Sequence, residues 1–166
     1  MQQDITIRPF QESDWTAVWQ ILSPILKEGE TYTFSPNSTE KEAYTFWITL
    51  PQQTFVALNS LDQLIATYYI KPNQPSLGAH ICNCGYMVHP EHRGKGIART
   101  LCQHSLIHAK EMAFRGMQFN AVVSTNRIAV NLWLDMGFEK IGTIPGGFYS
   151  HTYGYVDSYV MFKELS

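Results

Sequence analysis

The segment Arg93-Gly94-Lys95-Gly96-Ile97-Ala98 constrains this chain more than any other six residues. An apolar run ending at Val88 and a turn, His89-Pro90-Glu91-His92, precede it. Behind it Ile97, Leu101, Cys102, Ser105, Ala109, Met112 and Ala113 recur at helical spacing. The order is therefore strand, glycine-rich turn, helix start. The first N–H groups of a helix have no intrahelical acceptor, and with the macrodipole they favour an anion. Glycines at 94 and 96 let a phosphate approach the backbone, and Arg93 and Lys95 bring charge. The segment reads as a pyrophosphate cradle; a basic helix start without a ligand is the alternative.

Spacing narrows the choice of pyrophosphate. The sequence contains no Gly-x-x-x-x-Gly-Lys-Ser/Thr, and the dinucleotide fingerprint fails because its third glycine falls on Arg99. At 166 residues, with 45% hydrophobic and 13% aromatic, the chain reads as one globular domain over 1–166. A net charge of −2, from 12 basic and 14 acidic residues, offers no field for nucleic acid and no polybasic patch for a membrane. The first ten residues carry an acidic side chain and no long apolar stretch, so no signal peptide is expected, nor any transmembrane run. Cys82, Cys84 and Cys102 are odd in number and unlike a disulfide framework, which suits a cytoplasmic setting. No metal is expected. Cys82 and Cys84 lack a second ligand pair, and His104 and His108 are read as an exposed helix face.

The coarse pattern is a mixed α/β sheet. A strand over residues 4–9 is followed by a helix with Trp15, Val18, Trp19 and Leu22 on one face, broken or kinked at Pro24. Residues 28–36 read as a loop, in which Glu28 and Glu30 are candidate proton acceptors. Ser38 or Thr39 caps a second helix carrying Ala43, Phe46, Trp47 and Leu50. Strands are expected at 53–59, 63–71 and 79–88, then the long helix to about residue 114. Strand 118–124, helix 127–136, strand 138–144, a loop at 145–153 and strand 154–163 complete the pattern.

Arg93-x-x-Gly96-x-Ala98 resembles the acetyl-coenzyme A loop of the GNAT superfamily of N-acetyltransferases. Residues Asn126 to Phe138 resemble the Asn-x-x-Ala…Leu-Tyr…Gly-Phe segment that follows the fifth strand there. The resemblance implies the GNAT fold, a mostly antiparallel mixed sheet splayed at its central strands with helices on both faces. It also implies acetyl-CoA as cosubstrate, with contacts at Met87, Val88, Arg93, Gly94, Lys95, Gly96, Ile97, Ala98, Asn126 and Trp133. The tyrosine that usually protonates the departing thiolate is replaced by Trp133, whose indole N–H cannot serve as that acid. The amide of Asn126 is the nearest substitute, and a helix cap is its equal alternative.

From about residue 70 onward a closer likeness is visible. His80 to Val88, the pair Asn120 and Asn126, Trp133 and Tyr155-Val156-Asp157-Ser158 resemble the yeast-type acetyltransferases of proline analogues such as azetidine-2-carboxylate. That resemblance implies substrate binding by Asn83 and by the backbone of Asn120 and Ala121. It places the Tyr86 N–H on acetyl-CoA and faces Asn126 to its sulfur. Phosphinothricin acetyltransferases are similar in layout but carry a glutamate near the place of Asn83. The implied activity is direct acetyl transfer to the amine of a small amino acid or analogue. Acetylation of a protein N-terminus or lysine, or non-catalytic acyl-CoA binding, are the alternatives. The aromatic stretch Phe148 to Tyr155 is read as a pocket wall or as a contact in a homodimer.

Overall fold

The first helix of the protein, α1 (Trp15–Glu28), continues without a break past Pro24. Proline removes one hydrogen bond, to the carbonyl four residues back, and that carbonyl belongs to solvent-exposed Gln20. The opposite face buries Val18, Ile21, Leu22, Ile25 and Leu26, so packing holds the helix together across the missing bond. Gly29, at φ 65°, ends it with a left-handed cap. The expected break at Pro24 is therefore absent.

The computed structural model describes residues 4–165; Met1–Gln3, which open the segment read as lacking a signal peptide, and Ser166 lie outside the described residues. The strands are β1 (Thr6–Pro9), β2 (Gln53–Leu58), β3 (Leu64–Pro72), β4 (Ile81–Val88), β5 (Gly116–Val123), β6 (Glu139–Ser150) and β7 (Gly154–Glu164). They form one sheet in the order β1-β2-β3-β4-β5-β7-β6, antiparallel throughout except between β4 and β5. α1 and a short α2 (Glu40–Tyr44), which continues as a wider turn over Thr45–Thr49, cover one face with Val56, Tyr69 and Met87. α3 (Ile97–Glu111) and α4 (Arg127–Asp135) cover the other, packed on Tyr68, Tyr86 and Phe119. Successive strand residues point to opposite faces, so Tyr68 and Tyr69 serve different cores. No helix among the described residues is long and apolar enough to cross a membrane.

Three further expectations are corrected. The loop read at 145–153 is mostly strand: β6 reaches Ser150, and Pro145-Gly146-Gly147 form an irregularity within it rather than its end. The Gly146 N–H is held by the Asp157 carboxylate at 3.1 Å. Leu50, expected on the second helix, lies just past its last turn and is exposed, while Thr39 caps α2 in a reciprocal bond pair with Glu42. His104 and His108 are half-buried against the sheet, His104 on the Tyr68 hydroxyl at 2.7 Å and His108 on Gln53 at 2.8 Å.

The sheet opens in the middle. β4 and β5 pair only at Ile81 with Gly116 and Cys82 with Met117, and beyond those residues they part. On the far side of β5 the register with β7 slips between Phe119 and Val122, leaving Asn120 and Ala121 outside the ladder. The expected splay is present and begins one turn of the pleat before Gly85.

Candidate active site

The cradle forms where β4 ends. A short helical turn, Pro90–His92, is capped by His89, whose Nδ1 accepts the Glu91 N–H at 3.2 Å. Gly94 and Gly96 then both take left-handed φ, 75° and 78°, and Gly96 is the N-cap of α3. No atom lies within 4 Å of where a Cβ would stand on either glycine, so the outer face of the loop is open. Ile97 is buried and anchors the helix start. Its own N–H and those of Ala98 and Arg99 have no backbone acceptor among the described residues. Arg93 is paired with Glu28 at 3.3 Å, and Arg99 with Asp135 at 3.1 Å; Lys95 is exposed. Open glycines, donor-rich backbone and three cations suit a diphosphate.

The backbone of β4 supplies the second part. The His80 carbonyl accepts from Arg115 on the β5 side, so by alternation Cys82, Cys84, Tyr86 and Val88 also turn their backbone groups toward β5. Past Cys82 there is no β5 to meet them. At Tyr86 the gap is filled from elsewhere: its N–H donates to the Tyr32 hydroxyl at 2.8 Å, and that hydroxyl donates to the Tyr86 carbonyl. Tyr32 stacks on Phe34 and meets Trp47 edge-on. Burial holds the Tyr32, Tyr69 and Tyr86 hydroxyls far above the usual phenol range, so all three are proton donors at neutral pH.

The expected site residues divide between the two faces of the sheet. Asn83, Met87 and Asn120 lie on the α1/α2 side. Asn83 is buried; its Nδ2 donates to the Gln118 carbonyl at 2.9 Å, and its Oδ1 accepts from the Tyr69 hydroxyl at 3.3 Å. The Tyr69 ring lies over Gly85, 2.6 Å from where a Cβ would stand, so only glycine fits there. Asn120 is exposed, donates to Asn73 at 2.7 Å and accepts from Gln118 at 3.0 Å. Gln118 faces β4, and by alternation so does the backbone of Asn120 next to Ala121.

On the α3/α4 side the Tyr86 ring contacts Trp133 at 5.2 Å between centroids, and Trp133 packs on Phe119 at 4.9 Å. Trp133 is thus a core residue of this face. Asn126 caps α4, its Oδ1 accepting the Ala129 N–H at 3.3 Å, while its Nδ2 has no protein acceptor among the described residues. Both readings of Asn126 are compatible with one side chain, since cap and donor use different atoms.

The end of α1 and the loop after it are committed at three points. Glu28 holds Arg93, Glu30 accepts from Ser150 at 2.7 Å and from Thr152 at 3.4 Å, and Tyr32 holds Tyr86. With Gly147, Phe148, Tyr149 and His151 of the β6–β7 hairpin, this loop borders a half-open cavity of about 320 Å³. Sequence reasoning passed over Tyr32; the alternation Thr31-Tyr32-Thr33-Phe34, with two aromatics on one side of a polar loop, was the available signal. No group of three or more His, Cys, Asp or Glu among the described residues could hold a metal ion.

A helix start open to a diphosphate, set where two central strands part, is the arrangement of a transferase that draws on a coenzyme A thioester. Residues 15–138 match the Acetyltransferase (GNAT) family, and the chain belongs to it: it is an acetyl-CoA-dependent N-acetyltransferase. It is 35% identical over 152 residues to the N-acetyltransferase aca1 of Schizosaccharomyces pombe, covering 81% of this chain and 72% of that one. A GCN5-related N-acetyltransferase from Kribbella flavida superimposes with a TM-score of 0.92 at 38% identity, over 97% of this chain and 98% of the other. A phosphinothricin acetyltransferase from Sinorhizobium meliloti, solved with AcCoA, shares the fold at a TM-score of 0.86 and 19% identity, over 100% and 90% of the two chains.

Proposed function

We propose that this enzyme acetylates the amine of a small free amino acid or analogue, of the proline-analogue type, within a single domain. The observation that carries the reading is the cavity between the 29–36 loop and the β6–β7 hairpin. At about 320 Å³ it is at the small end of ligand pockets and is walled by Tyr32, Phe34, Phe148 and Tyr149. An apolar ring or short side chain fits such walls. The carboxylate of the acceptor is assigned to Asn83 and to the backbone N–H groups of Asn120 and Ala121, which lie beside the opening between β4 and β5.

Acetyl-CoA supplies an activated acetyl group. The helix start from Arg93 to Ala98 holds its diphosphate, and Met87 and Val88 border its path along β4 toward Asn126 and Trp133. The Tyr86 N–H is assigned to the developing oxyanion, a donor whose loss typically costs about 10²–10³ in rate. Asn126 Nδ2 is assigned to the departing sulfur. Transfer is direct: burial raises the Cys84 thiol and pushes Cys102 up to about 12, so neither is a ready nucleophile near neutral pH. Turnover of acetyl-CoA against free amino acids, including proline and azetidine-2-carboxylate, beside peptides with a free N-terminus, tests the reading. Acetylation of the cyclic or other small amino acids is expected; turnover with the peptides alone would overturn it.

A further inference from the structure

The 28–32 stretch occupies both ends of the acetyl-CoA site at once. At the diphosphate end, Glu28 takes the guanidinium of Arg93 through two contacts, at 3.3 and 3.4 Å. At the thioester end, the Tyr32 hydroxyl takes the N–H of Tyr86 at 2.8 Å and gives its proton to the Tyr86 carbonyl. These are the two backbone groups of Tyr86 that β5 would have satisfied had the strands stayed together. A phenol from a loop thus completes the sheet where the sheet is broken.

One N–H cannot give a full hydrogen bond to Tyr32 and to an incoming thioester carbonyl together. Arg93 likewise meets a choice between Glu28 and a diphosphate, and the diphosphate carries more charge and more acceptors. The Arg93–Glu28 pair is about half exposed on both sides, a setting in which ion pairs contribute little. The same loop forms one wall of the acceptor cavity, from Gly29 to Pro36.

We propose that Tyr32 is a latch on the cofactor site, which acetyl-CoA displaces from Tyr86, and that its release, with that of Glu28 from Arg93, reshapes the acceptor cavity after acetyl-CoA is seated. The proposal rests on the assignment of the Tyr86 N–H to acetyl-CoA. Tyr32 acts here as a positioning residue. Its hydroxyl satisfies the Tyr86 backbone where the sheet is broken, and its displacement couples arrival of the donor to the shape of the acceptor pocket.

Tyr32→Phe keeps the ring against Phe34 and Trp47 and removes only the hydroxyl. Without its competitor, the Tyr86 N–H should bind acetyl-CoA about threefold to tenfold more tightly by calorimetry, the range of one ordinary hydrogen bond. The Tyr86 amide resonance should shift on adding acetyl-CoA in both the parent and the variant. In the parent, amides of residues 29–36 should exchange faster once acetyl-CoA is bound. If Tyr86 shifts but the affinity of Tyr32→Phe is unchanged or weaker, the latch is wrong and the Tyr86 assignment stands. If Tyr86 does not shift, that assignment fails and the latch with it. Should Tyr32→Phe fold poorly, unchanged exchange of the 29–36 loop in the parent would still overturn the latch.

Discussion

The carboxamide of Asn83 reaches across the opening between β4 and β5 and donates to the Gln118 carbonyl at 2.9 Å, just where the backbone ladder between those strands has stopped. A single side chain therefore ties together the two edges of the site. Its Oδ1 accepts from the hydroxyl of Tyr69, whose ring is placed by the missing Cβ of Gly85.

Asn83→Ala removes the tie and leaves the Gln118 carbonyl and the Tyr69 hydroxyl without it. A buried group left unpaired costs about 1–3 kcal/mol, so the melting temperature should fall by several degrees. KM for the amino acid should rise more than kcat falls, because substrate and transition state lose the contact together. Thermal melts beside steady-state kinetics check both. A stability loss with normal KM would leave Asn83 as a strand tie alone.

Gly96→Val puts a β-branched residue at φ 78°, where nothing lies within 4 Å to clash with it. The penalty is conformational, about 1–2 kcal/mol, together with a side chain standing over the diphosphate cradle. Acetyl-CoA affinity should fall by tenfold or more by calorimetry with the fold retained. Gly96→Asn, which tolerates left-handed backbone, should recover more of the stability than of the affinity.

Asn126→Ala removes cap and donor together; Asn126→Ser restores only the cap. If Nδ2 stabilises the leaving sulfur, both variants should lose kcat by roughly tenfold to a few hundredfold at 1.4 kcal/mol per decade, with little change in KM. Only Asn126→Ala should lose about 1 kcal/mol of stability through the cap. Full activity in Asn126→Ser would restrict Asn126 to capping α4.

Arg8 grips Asp14 through two bonds, at 2.8 and 2.9 Å, and the Gln11 N–H adds a third at 2.8 Å. The Arg8 hydrogen bonds hold the Asp14 carboxyl below its ordinary value against the cost of burial. A carboxyl lowered in the folded state contributes stability that is complete above its unfolded value, about 3.9, and is lost as pH falls through the folded value. Asp14→Asn should be less stable than the parent by about 1–3 kcal/mol at pH 7. That difference should shrink below about pH 4 in denaturant titrations.

Local pattern and chain order determined a large part of this protein. The strand, the glycine pair and the start of α3 were legible because left-handed glycines and an apolar helix stripe are properties of neighbouring residues. The Thr39 cap and the end of α4 before Gly137 are equally local. Local reading failed where distant partners outweigh propensity. Pro24 signals a break, yet five buried side chains on one face of α1 keep it helical. Pro145-Gly146-Gly147 signal a loop, yet pairing of the flanking Ile144 and Phe148 with β7, and the Asp157 carboxylate on Gly146, hold them within a strand. The division of the site between two sheet faces, the bridge from Asn83 to Gln118, and Tyr32 on Tyr86 across 54 positions of sequence were decided by tertiary structure. The physical reason is the parting of β4 from β5. It leaves backbone donors and acceptors in the interior, and only the folded chain determines which side chains come to satisfy them.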